Sequence, residues 1–185
     1  MSDALALLEV SSLARRVIAA DAVAKRAPVE LLECGPVSPG KYLVLFAGGV
    51  AEVEESMSAG AASAGDLLID KLLLPQAHPQ LLPAIRAGPR GFTHAPKSDP
   101  AGIVELASVA AALRSADAAC KAAAIRLQLL HLARGIGGKG WLVLRGDLHS
   151  VEAAVLAATQ AAGEGLLAGA EILAAPHGDL AGKAL

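Results

Sequence analysis

Aromatic side chains are nearly missing from this chain: one Trp, one Tyr and two Phe in 185 residues. Hydrophobic residues still make up 54% of it, so a core must be built from Ala, Val, Leu and Ile. Such side chains let helices and strands approach closely, but each buries little area. Cysteine is as scarce. Cys34 and Cys120 lie far apart in the chain and are expected as free, buried thiols in a reducing compartment, with no disulfide framework. Neither sign of charge is in excess, since 16 Lys and Arg against 18 Asp and Glu give a formal net charge of −2. The basic residues are scattered, which argues against a nucleic-acid partner. No apolar run approaches the ~18 residues of a membrane span. The start of the chain also lacks the charged segment, apolar run and small-residue site of a secretion signal, so neither membrane insertion nor secretion is expected.

What the chain does contain is repetition. Residues 7–33 and 103–129 align without a gap at an offset of 96, pairing Glu9 with Glu105, Asp21 with Asp117 and Lys25 with Lys121. Residues 40–65 and 138–163 align at an offset of 98, pairing Gly40-Lys41 with Gly138-Lys139, Gly48 with Gly146, Val53-Glu54 with Val151-Glu152 and Gly65 with Gly163. A repeat of roughly 95 residues is too long for a solenoid unit and fits a duplicated small domain. A module of that size buries a modest core. The high apolar fraction therefore predicts apolar surface covered by partner subunits.

Each copy reads as the same succession of elements. In the first, Ala4–Val10 is a strand, and Ser11 or Ser12 caps a helix that runs to about Ala27 with Leu13, Val17, Ala20 and Ala24 on one face. Strands follow at Val29–Cys34 and Lys41–Ala47, separated by an irregular Gly35–Gly40. A helix striped by Val50, Val53, Met57 and Ala64 ends at Gly65, read as a left-handed cap, and a strand follows at Leu67–Leu74. A short helix is expected around Leu81-Leu82. The second copy gives strands at Gly102–Leu106, Ile125–Leu132, Trp141–Leu144 and Leu166–Leu173. Its helices carry Val109, Leu113, Ala116 and Cys120, then Leu148, Val151 and Val155. Pro89, Pro96 and Pro100 punctuate Ala87–Pro100 as a linker, so the expected domains are 1–86 and 101–185, with 87–100 between them. The order β-α-β-β-α-β with a terminal helix predicts α+β modules, helices packed on an antiparallel sheet.

The first copy opens Ala4-Leu5-Ala6-Leu7-Leu8-Glu9 and continues with Ala19-Ala20-Asp21-Ala22-Val23-Ala24-Lys25. The second has Gly102-Ile103-Val104-Glu105 and Ala116-Asp117-Ala118-Ala119-Cys120-Lys121. Both resemble the opening A-L-G-L-I-E and the helix A-A-D-A-x-x-K-A of the bacterial microcompartment shell domain, which has a ferredoxin-like α+β fold. Gly137–Glu152 resembles that family's Gly-rich loop, apolar strand, Gly turn and helix. Two such domains in unpermuted order resemble the tandem-domain shell proteins that form trimers. Pro36-Val37-Ser38-Pro39-Gly40-Lys41, with Val50–Met57 after it, resembles the single-layered trimers of simple model shells.

The resemblance implies a structural protein without enzymatic activity, part of a microcompartment shell in the bacterial cytoplasm. Three chains would close into a pseudo-hexagonal disc that tiles edge to edge with other shell proteins. The loops Pro36, Val37, Ser38, Pro39 and Arg134, Gly135, Ile136, Gly137, Gly138 would line a central pore for small metabolites, with Arg134 a candidate for favouring anions. Lys25 and Lys121 would serve as edge lysines, beside His78 and His177, the remnants of the family's Pro-Arg-Pro-His edge motif whose arginines are missing here. Propanediol-type tandem proteins place a cysteine in the pore loop and hold an iron–sulfur cluster there. Here the loop has Ser38, and a neutral hydroxyl is a poor ligand for iron. Cys34, four residues earlier and within a strand, is a poor substitute, so no cofactor is expected.

The remaining candidates are weaker. His94, His131 and His149 have no zinc-ligand spacing. Gly135-Ile136-Gly137-Gly138-Lys139 lacks the Walker spacing and enters a strand instead of a helix. Asp21 and Asp117 recur at equivalent positions, which points to structure, because a catalytic group has no need of duplication. No catalytic or metal site is expected. The alternative to a shell tile is a ligand-binding or regulatory trimer on the same scaffold.

Overall fold

The computed structural model describes residues 4–37, 40–88 and 99–180. The chain divides into two compact units, one of residues 4–79 with the strip 134–138, the other of 80–133 and 139–180.

In the first unit, β1 (Ala4–Val10) is an inner strand, paired antiparallel on one side with β3 (Lys41–Gly48) and on the other with β4 (Leu68–Leu74); β2 (Glu30–Val37) lies outside β3. Alternation along β1 puts Ala4, Ala6 and Leu8 on one face. There they join Val44 and Phe46 from β3, Ala20 and Val23 from α1 (Leu13–Arg26), and Val53 from α2 (Val50–Ala64). Ser12 is the cap of α1, its hydroxyl accepting from the Arg15 N–H at 3.3 Å. Gly65 ends α2 with φ +56° and ψ −138°, a conformation outside the left-handed helical basin that was expected for it.

The second unit repeats this design. β5 (Ala101–Leu106) lies between β7 (Gly140–Arg145) and β8 (Leu167–Leu173), with β6 (Arg126–Leu132) outside β7. Helices α4 (Val109–Ala122) and α5 (Leu148–Ala161) pack on it, capped by Ser108 and Asp147, whose side chains accept from the Ala111 and Ser150 N–H groups. The short helix α3 (Leu81–Ala87) follows β4 in the chain, yet packs against β6 and α4.

Three local expectations are corrected. β2 does not stop at Cys34 but runs through Pro36, paired with Tyr42, to Val37, paired with Lys41. An outer strand tolerates proline because one side of its backbone needs no donor. Cys34, expected buried, is exposed on that same outer strand. Finally, of the stripe Leu13, Val17, Ala20 and Ala24 on α1, Ala20 alone is buried, together with Ala19 and Val23. The matching stripe of α4, Val109, Leu113, Ala116 and Cys120, is buried as expected.

The repeated charges pair within each copy. Glu9 meets Lys41 across β1 and β3 at 3.4 Å, and Glu105 meets Lys139 across β5 and β7 at 3.0 Å. Lys41 is the diagonal neighbour of Glu9 across the ladder, and Lys139, one residue before β7, takes the matching place beside Glu105. Asp21 and Lys25, and Asp117 and Lys121, form i,i+4 pairs at 2.7 and 2.6 Å, with the acid N-terminal to the base in the favourable order.

Close approach of α4 to the sheet depends on Gly140, where an added Cβ would stand 2.4 Å from the Ala112 Cβ and 3.3 Å from the His131 carbonyl. Neither obstacle is a flexible chain end, so Gly140→Ala is expected to destabilise the protein by about 1–3 kcal/mol. Gly169→Ala, whose new carbon would meet only the Glu105 carboxylate at 3.9 Å, should change stability by less than about 0.5 kcal/mol. Urea unfolding of the two variants checks the contrast.

Candidate functional site

The strip between β6 and β7 turns on left-handed backbone. Ala133, Gly135, Gly137 and Gly138 have φ of +57°, +75°, +68° and +83°. Ile136 at its crest is exposed. In the first unit this strip meets the β2–β3 hairpin, and Glu33, Cys34, Gly35, Pro36, Val37, Gly40, Lys41, Tyr42, Arg134 and Gly135 line an open cleft of about 590 Å³. The Arg134 guanidinium donates to the Glu33 carboxylate, and Lys41 faces Glu9, so each cation of the cleft has an anion beside it. Ser38 and Pro39 lie outside the described residues.

Pro36, Val37, Arg134 and Gly135 are thus brought to one place. Ile136, Gly137 and Gly138 continue the same strip, and the expected edge residues lie elsewhere. Lys25 and Lys121 stand in the last turns of α1 and α4, where a cation also complements the helix dipole. His78 follows β4, and His177 follows β8, its Nδ1 accepting from the Asp179 N–H at 3.3 Å.

The remaining candidates have structural surroundings. His131 is buried with its ring 6.4 Å from that of Trp141. Lys139, which ends the glycine-rich strip, is held by Glu105, and β7 follows directly. His94 lies outside the described residues. Among the described residues, no cluster of His, Cys, Asp and Glu could hold a metal ion, and no helix is long and apolar enough to cross a membrane.

Two residues carry contacts that no motif announces. Gln80, just before α3, brackets the outer edge of β6: its amide N–H donates to the Ile125 carbonyl and its amide oxygen accepts from the Leu127 N–H, both at 2.8 Å. Arg145 is buried, donating to Gln128 at 2.7 Å and to the Asp99 carbonyl at 2.6 Å. Burial pulls its pKa down, partly offset by the nearby Asp99 charge. Its counterpart in the first copy is Ala47, so nothing in the repeat signals it.

The BMC domain model matches the chain twice, over residues 4–77 and 101–176. The chain belongs to the BMC-domain family. It carries two copies of the domain in unpermuted order, each a four-stranded antiparallel sheet with helices. It is 42% identical to the bacterial microcompartment shell protein PduT of Citrobacter freundii over 178 residues, which cover 96% of this chain and 95% of that one. It superposes on a microcompartment protein of Desulfitobacterium hafniense with a TM-score of 0.89, 40% identity, and 97% and 98% of the two chains covered. A fused, permuted hexameric shell protein of the RMM microcompartment shares the fold at a TM-score of 0.60 and 21% identity, over 86% of this chain and 83% of that one.

An iron–sulfur cluster, held by cysteine thiolates, does not fit the residues present. Residue 38 is serine, Cys34 sits on β2, and Cys120 is enclosed in α4. Burial, helped by the Asp117 carboxylate, pushes the Cys120 thiol up to about 12. Protein purified without oxygen is expected to contain no stoichiometric iron by elemental analysis and no visible charge-transfer absorption; one cluster per three chains would overturn this.

Proposed function

We propose that the chain is a structural tile of a bacterial microcompartment shell in the cytoplasm. Three copies close into a pseudo-hexagonal disc, and the disc joins other shell proteins along its edges. The β2–β3 hairpin with Ser38 and Pro39, and the strip 134–138, line a central opening that admits small polar metabolites. The tile performs no bond chemistry.

One observation carries the ring. α1 and α4 are the same helix in two copies of one domain, yet Leu113 is 0% exposed and its counterpart Val17 is 55% exposed. Val109 and Leu13 differ in the same way, and Ile18 adds to the exposed stripe. A face covered in one copy and bare in the other calls for a second chain to supply the missing cover. That contact is head to tail, and in the proposed disc its rotation closes into a ring. With two domains per chain, the sixfold outline of the family implies three chains. A ligand-binding role is less well supported, because the cleft's cations already face Glu33 and Glu9.

Mass measurement in solution together with electron microscopy tests the ring. The expected result is a mass of three chains and a hexagonal outline with a central hole; a monomer would overturn it. Val17→Asp places a charge on the bare stripe and is expected to weaken the trimer at least tenfold, about 1.4 kcal/mol.

Lys25 and Lys121 are proposed as edge residues, with Asp21 and Asp117 steering their ammonium groups. Lys25→Ala combined with Lys121→Ala is expected to abolish extended sheets in crowded solution while trimers persist. Sheets of unchanged extent would count against the assignment.

A further inference from the structure

We propose that Asp179 and Leu180, in the segment that follows β8, dock on the outer edge of β2 of the neighbouring chain, as Gln80 and Leu81 dock on β6 within one chain. This inference rests on the ring proposed above.

The two segments are equivalent by strand register. Leu74 of β4 pairs with Leu5, and Leu173 of β8 pairs with Ala101, the counterpart of Leu5 at the offset of 96. Counting on from Leu74 and Leu173 matches His78 with His177, Gln80 with Asp179 and Leu81 with Leu180. The surfaces are equivalent too. β2 and β6 are the outer strands of their sheets, and each carries a register shift, between Leu31 and Glu33 and between Leu127 and Leu129.

Burial separates the two. Leu81 is 0% exposed and Leu127 1%, whereas Leu180 is 37% exposed and Leu31 41%. Both halves of the second contact are therefore bare, an apolar side chain on the segment after β8 and an apolar side chain on the strand. An outer strand with open backbone groups is a ready template for another chain. The occupant is a second copy of this chain, because the segment that fits is the duplicate of one already seated on the duplicate strand.

The two seams differ in chemistry. The Gln80 amide both donates and accepts, satisfying the Ile125 carbonyl and the Leu127 N–H together. A carboxylate only accepts. Asp179 can take the Leu31 N–H but leaves the Val29 carbonyl unmet. The strand also presents Glu30 where β6 presents Arg126. His177, whose Nδ1 accepts from the Asp179 N–H, stands 3.6 Å from that carboxylate. The seam between chains is thus the weaker of the two, and it is where the ring opens.

Native mass spectrometry and subunit exchange between isotope-labelled and unlabelled full-length protein test this. Leu180→Asp is expected to speed exchange and weaken the trimer at least tenfold, and Leu31→Asp should do the same from the other side of the seam. Combining Leu31→Asp with Leu180→Lys is expected to recover most of the loss, which a folding defect in either variant would not. Asp179→Gln, which supplies the missing donor, should slow exchange. A Leu180→Asp trimer with wild-type exchange, or no recovery in the charge-paired double variant, overturns the docking while the ring stands. A wild-type protein that is no trimer overturns the ring itself.

Discussion

Everything in this fold depends on helices lying very close to their sheets. The closeness is set by small residues at the contact: Ala112 over Gly140 in the second unit, and Gly60 of α2 against Val23 and Leu8 in the first. A chain with four aromatic residues has no large rings to fill a wider gap. It therefore gains its packing from proximity, which interiors of near-crystalline density reward. The cost is that each module encloses little apolar volume, and part of its apolar surface stays outside. Close packing within the module and bare apolar stripes on its exterior have the same origin.

The charged repeats show how one pairing can serve two settings. Glu9 is 1% exposed against Lys41 at 29%, so removal of the lysine would leave a carboxylate nearly cut off from water. Glu105 and Lys139, each near half exposed, form the same cross-strand pair in a setting where such bridges contribute about 0–1 kcal/mol. The register that creates the pair is common to both copies, while its energetic weight follows from what lies around it. The same holds for Asp21–Lys25, which is open to solvent, and Asp117–Lys121, where the aspartate is buried.

The order of elements and most of their bounds were legible in the sequence because strand alternation, serine caps and glycine turns are local signals. The recurrence of Asp21 and Asp117 pointed to structure, while their pairing with Lys25 and Lys121 emerged only from the helix geometry. What escaped was tertiary. Pro36 was read as a strand break, because sequence does not tell an outer strand from an inner one. Leu13 and Val17 have the spacing of a core stripe, and their α4 counterparts are core, so no periodicity could separate the two helices. Gln80 and Arg145 belong to no motif, and their roles exist only through Ile125, Leu127, Gln128 and the Asp99 carbonyl. The strip 134–138 carries a glycine-rich signal in the sequence, whereas the Glu33–Arg134 pair within the cleft carries none.

Duplication explains why such exceptions can accumulate. In a ring of identical single domains, a substitution at any contact appears six times, so every seam must tolerate it. In a tandem chain each copy drifts separately. Ala47 stands at the position of the buried Arg145, which ties Gln128 of β6 to the Asp99 carbonyl. Gln80 brackets that same strand, while its duplicate is Asp179. Gln80 holds β6 within one chain, where covalent connection already keeps the partners at high effective concentration. In the proposed ring, the contact left to a second chain has the plainer chemistry of Leu31, Glu30 and Leu180. A seam that must form after synthesis, between separate molecules, benefits from apolar surface that joins without demanding donor and acceptor to match. A contact within one chain can carry a bidentate amide because it never has to open.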